Sequence, residues 1–229
     1  MEPKQQDKQT EHENQNTEKK SDFVFYVQVT AILILGLLLV YGLGKTSPTG
    51  NVTGGVIGTV SALDIIPKGV PEVYGKELGV SFDDVSPNDP KKADATIEIL
   101  SKIDRTVTLT GDDLQRYIKI GSEISCEYCC GADSIIFSNG QPACGCAHSY
   151  SMRGLAKYLI KNHGDEFTDD EILEELGKWK VLFFPGVHQQ KASVLKSQGI
   201  ELNYINLASN KYRGIEQGQA SGGAMVGGC

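Results

Sequence analysis

There is no cysteine in the first 125 residues, only one tryptophan and three methionines in all 229, and no surplus of positive charge. The 22 Lys and Arg stand against 29 Asp and Glu, a formal charge of −7. Without a cationic surface the chain is not a general nucleic-acid binder. No H-E-x-x-H pair, P-loop or glycine-rich dinucleotide fingerprint is present, so the zinc-peptidase, phosphate-cradling and dinucleotide chemistries lack their usual residues. No segment repeats. What remains, 40% hydrophobic and 22% charged, is enough for a folded body, and the length suits one modest domain with appendages, or two small ones.

Composition shifts along the chain. Residues 1–22 carry six acids and four lysines and no large apolar side chain after Met1, so they are expected to be a disordered tail. Residues 23–43 then run for 21 positions without a charge. At about 1.5 Å per residue this makes roughly 31 Å of helix, close to a bilayer's hydrocarbon thickness. Phe23, Phe25, Tyr26 and Tyr41 near its ends suit the membrane interface. No A-x-A site follows, so the expectation is a retained signal-anchor rather than a cleaved leader. Lys8, Lys19 and Lys20 on its N-terminal side against Lys45 on the other predict a single-pass membrane protein with a cytoplasmic N-terminus and an exterior body. Residues 44–62, rich in Gly, Thr and Ser, read as a flexible stalk.

The body, 63–207, reads as α+β and mainly helical. Apolar spacing predicts helices at 94–103, at 110–121 with Thr110 as N-cap, at 152–163, from Thr168 to about 183 behind a Thr168-x-x-Glu171 capping box, and at 188–198. Trp179, Tyr158 and the leucine stripes are assigned to the core. Ile200, Leu202 and Tyr204 alternate as a short strand, and Asn139-Gly140 between apolar stretches predicts a small β-hairpin. Residues 208–229 end in a glycine-rich tail, taken as mobile, whose last residue is Cys229.

Chemistry concentrates between residues 126 and 148. Cys126, Cys129, Cys130, Cys144, Cys146 and His148 place five of the six cysteines and one of the four histidines within 23 residues. A C-x-x-C turn aims two thiolates at one ion, and closing the Asn139-Gly140 hairpin brings Cys126 and Cys129 to Cys144 and Cys146. The second pair runs into a helix with Ser149 or Ser151 available as N-cap, and thiolates near a helix N-terminus are favoured. The simplest closed site is a tetrahedral zinc on Cys126, Cys129, Cys144 and either Cys146 or His148. Cu(I) or an iron–sulfur cluster also suits such a thiolate set. The competing arrangement is a disulfide framework, for which six cysteines allow 15 connectivities. His12, His163 and His188 are expected to face solvent, and Cys229 is either an accessory thiol for the cluster or an exposed residue without a role.

A knuckle, a hairpin and ligands at a helix start resemble a treble-clef zinc finger over about 126–160, with C-x-C-x-H standing where that pattern has its second C-x-x-C. Residues 142–149, Pro-Ala-Cys-Gly-Cys-Ala-His-Ser, resemble the core of the PCYCGC-motif proteins, with Ala143 in place of the motif's first cysteine; this likeness implies metal binding. The stretch from about 94 to 184 is similar to an uncharacterised membrane-anchored, cysteine-rich domain of archaea and bacteria, which implies no activity. Three functions follow: an anchored extracytoplasmic metal-binding protein, a thiol–disulfide redox protein, or a structural zinc module for protein–protein contact. A non-enzymatic role is favoured, because no catalytic constellation accompanies the ligands.

Overall fold

The computed structural model describes residues 60–217 and 225–228. The tail 1–22, the run 23–43, the stalk up to 59, residues 218–224 and Cys229 lie outside these. Five long helices form the body. α1, Pro90–Thr106, opens on Asp89, whose carboxylate accepts the Lys92 N–H at 3.1 Å, with proline at a first-turn position that has no use for an N–H. α2 is Gly111–Ser122; Thr110 precedes it, but its side chain makes no capping bond. α3 is Ala147–His163 and begins five residues earlier than the apolar spacing predicts, because the Cys146 sulfur serves as its N-cap. α4, Asp169–Phe183, carries the expected capping box between Thr168 and Glu171. Only Phe184 separates it from α5, Pro185–Ser197. Single turns at Ala62–Ile65, Gly75–Leu78 and Tyr204–Ala208 fill the flanks.

α1 and α3 cross at backbone contact. A Cβ on Gly154 would lie 1.9 Å from the Leu100 carbonyl oxygen, so only glycine lets the two helices meet there. Around this crossing Leu100, Tyr117, Leu155, Leu159, Leu176, Trp179 and Phe183 form the main core, each large apolar side chain contributing about 1.5–3 kcal/mol by leaving water. The Trp179 indole N–H donates to the Tyr74 hydroxyl at 2.8 Å, which itself donates to Glu175. A smaller cluster of Val60, Ile65, Val181, Ala192, Leu195 and Leu207 packs between α5 and the far side of α4.

Three expectations need correction. First, the body is helical rather than α+β: among the described residues there is no strand or sheet, only isolated bridges between Ile136 and Pro142 and between Ile124 and Ser209. Asn139-Gly140 does reverse the chain, with the Gly140 N–H bonded to the Phe137 carbonyl at 2.8 Å. The expected hairpin stops at one bridge, made by the Ala143 N–H donating to the Ile135 carbonyl at 3.2 Å and the Phe137 N–H to the Gln141 carbonyl at 2.7 Å, and Arg153 donates to the Ile135 and Cys144 carbonyls beside it. Second, the strand expected at Tyr204 is a helical turn capped by Asn203, whose side chain accepts the Asn206 N–H at 2.8 Å. An extended segment with no neighbour would leave its ladder groups unpaired. Third, the single-pass membrane protein with an exterior body is not supported, since no helix among the described residues is long and apolar enough to cross a membrane. The apolar positions of α3 and α4 lie on stripes interrupted by Lys157, Glu174, Glu175 and Lys178, and the 23–43 run behind that expectation is outside the described residues.

Candidate metal centre

The first cysteine pair sits on a turn between α2 and the Asn139-Gly140 reversal. The N–H groups of Cys129 and Cys130 both donate to the Cys126 carbonyl at 3.3 Å, which winds the C-x-x-C segment tightly enough to present its sulfurs together. Residues further along the chain staple this turn. Arg213 reaches Glu127, Asp133 and the Gly131 carbonyl, and the buried Lys180 ammonium donates to Glu127 at 3.0 Å and to the Ala208 carbonyl at 2.8 Å. The second cysteine pair is held by Arg153, fully buried on α3. Its Nε donates to Asp104 at 2.8 Å and its Nη1 to the carbonyls of Ile135 (3.2 Å) and Cys144 (2.9 Å). Sequence reading missed Arg153 and Lys180; the available signal was a charge inside an otherwise apolar helical stripe.

The structure divides the six candidate ligands into two sets. Cys126, Cys129, Cys146 and His148 each offer an atom lying within 4.8 Å of the other three. Cys130 and Cys144 form a disulfide, and both of their sulfurs lie within 4.8 Å of that of Cys126. Cys144 therefore leaves the expected quartet, while Cys146 and His148 both enter it. Cys229 lies outside the described residues.

Within the quartet the Cys126 and Cys146 sulfurs are 3.2 Å apart, and Cys146 also accepts the Ser149 N–H at 3.3 Å as the cap of α3. Sharing one proton polarises the pair. The hydrogen bond from Cys126, joined by that from the Ser149 backbone, holds Cys146 low as the thiolate, and the same shared proton, together with burial, pushes Cys126 up. The His148 ring is fully buried, 4.6 Å from Phe183 and 5.0 Å from Phe184 between centroids. Its Nε2 lies 2.8 Å from the Val226 carbonyl. A carbonyl only accepts, so Nε2 carries the proton, and in the neutral ring Nδ1 holds the lone pair.

The remaining described histidines are not surface residues, contrary to expectation. His163 is buried between Glu166 (2.8 Å) and Glu77 (3.0 Å), which raise its pKa. His188 is fully buried, with Nδ1 2.8 Å from the Phe184 carbonyl, and burial drives its pKa well down. Neither joins the quartet.

A mixed set of three sulfurs and one imidazole nitrogen has the donor number and softness of a closed tetrahedral site, in which neighbouring ligand atoms stand about 3.8 Å apart. Compared with known families, curated proteins and solved structures, the chain matches none.

Proposed function

We propose that this protein binds a transition-metal ion, zinc in the first instance, through Cys126, Cys129, Cys146 and His148. The observation that carries the reading is the convergence of these four donors within 4.8 Å of one another, from a turn and a helix start 20 residues apart in sequence. The imidazole bonded to a backbone carbonyl supports it, because ligating histidines usually present one nitrogen to the metal and donate the other N–H to such a group. A filled quartet leaves no open position for substrate, which favours a structural or metal-holding role over hydrolysis. Zinc is preferred to Cu(I) because a mixed sulfur–nitrogen tetrahedron is its ordinary environment.

The full chain, purified without chelator, should carry about one zinc by elemental analysis, and Cys126→Ser or Cys146→Ser should lose it. Copper at the same stoichiometry would change the metal and keep the site, and absorption in the visible would reassign it to an iron–sulfur cluster. A full thiol count with no metal bound at micromolar supply would sink the reading.

The Cys130 and Cys144 disulfide favours a second reading, thiol–disulfide exchange. Cys126 is within 4.8 Å of both sulfurs. After passing its proton to Cys146 it could attack either one, forming a new S–S bond as the old one breaks and the other sulfur departs as thiolate. The electrons balance without an external oxidant. Exchange consumes a quartet ligand, so zinc loading should suppress it, and mapping disulfides in loaded and stripped protein separates the two readings.

A further inference from the structure

Residues 226–228 return from the end of the chain to the quartet. Val226 is 2% exposed, and both of its backbone groups are used: its N–H donates to the Phe183 carbonyl at 2.9 Å, and its carbonyl accepts from His148 Nε2 at 2.8 Å. The Gly228 N–H donates to Asp94 at 3.0 Å. Between them Gly227 has φ +85°, and a Cβ on it would lie 2.2 Å from Ile97 Cδ1 and 3.5 Å from His148 Nε2. Three residues thus tie the end of α4, the start of α3 and the second turn of α1 around one imidazole. A side chain at 227 would have to displace the tip of Ile97 and adopt a positive φ that only glycine takes without strain.

We propose that this C-terminal strap is the positioning element of the metal centre. Resting on the zinc reading, it adds how His148 is kept competent. The Val226 carbonyl holds the proton on Nε2, Phe183 and Phe184 hold the ring plane, and Nδ1 is thereby the nitrogen presented to the ion. Without the strap the ring is free to exchange tautomers and rotate, so part of the population offers an N–H where the ion needs a lone pair. Loss of such an outer hydrogen bond on a ligating histidine typically weakens metal affinity by about 10–100-fold. Because binding energies are reciprocal, the ion must tighten docking of the strap by the same factor. The end of the chain therefore reports metal occupancy.

The test uses the full chain and competition titration with zinc. Gly227→Val, which replaces none of the four donors, should weaken affinity about 10–100-fold while helical circular dichroism stays unchanged. ¹⁵N spectra of His148 should show the Nε2–H tautomer in the wild type and a mixture in the variant. Should Gly227→Val fail to fold, removal of residues 225–229 asks the same question and should give the same loss. In a His148→Asn background neither change should weaken zinc further; an additive loss would make the strap's effect merely structural and overturn the proposal. Cys229→Ser should retain wild-type affinity, and an equal loss there would transfer the effect from strap to thiol. Wild-type protein that binds zinc with Gly227→Val binding equally well defeats the strap alone, whereas wild-type protein without zinc defeats the reading beneath it.

Discussion

The two residues between Cys126 and Cys129 divide the knuckle into unlike environments. On the sulfur side, the groups that would face an ion are paired: a thiol donates to a thiolate that a helix N-terminus also serves, and the imidazole is anchored by a carbonyl, although the Ser125 and Ser149 hydroxyls beside them are buried with no hydrogen-bond partner. Glu127 and Tyr128 reach instead into a buried polar nest. Glu127 meets Lys180 and Arg213, Tyr128 donates to Glu216 at 3.0 Å, and the rings of Tyr128 and His188 stand edge to face at 5.4 Å. Here matching is incomplete, for Lys191 Nζ, His188 Nε2 and Glu216 Oε2 are buried with no hydrogen-bond partner. Such atoms cost about 1–3 kcal/mol each. One side of the turn is poised to gain energy from an ion, and the other holds strain that the surrounding helices must offset.

Substitutions on each side should behave differently. The largest effect is expected on the sulfur side: stripping zinc, or Cys146→Ser, removes about 4 kcal/mol of stabilisation at a thousandfold excess of zinc over its Kd. In a chain of this size that is roughly 10 °C in Tm, and a melting curve unmoved by chelator would break the comparison. Lys180→Met comes next. It leaves the Ala208 carbonyl unpaired and Glu127 with Arg213 alone, and should cost about 3 kcal/mol in denaturant unfolding while the protein still binds one zinc. Tyr128→Phe strips the hydrogen bond from Glu216 and should cost about 1–2 kcal/mol with zinc affinity unchanged; a matching loss of affinity would show that the two sides are not separable.

Lys191→Met should act in the opposite direction. Burial, with Lys180 adding to it, lowers the Lys191 ammonium from its ordinary 10.5 to about 8. The unfolded chain therefore holds a proton that the folded one has lost between those values, and stability rises with pH through about 8 to 10.5. Replacing the ammonium by an apolar group of similar volume should raise stability at pH 7 by about 1 kcal/mol and flatten that rise. Unfolding at pH 7 and pH 10 checks both.

Local chemistry made much of this legible beforehand. The capping box at Thr168 and the terminus of α3 at His163 follow from contacts within a turn or two, as does the reversal at Asn139-Gly140, so the residues alone specify them. Ligand types and their clustering were legible for the same reason: five cysteines in 23 residues are a statement about sequence distance. The hairpin and the strand at 200–204 were not, because a strand exists only if a partner's backbone lies alongside it, and which segments lie side by side is set by distant packing. Which thiols share an ion and which pair was equally hidden. That sorting depends on Arg153 holding the Cys144 backbone, on Cys146 capping α3, and on a carbonyl 78 positions from His148 in the chain. The sequence by itself determined the donors and the helices; tertiary structure decided the partition of sulfurs and the histidine's orientation, since each is set by groups brought together only when distant segments pack.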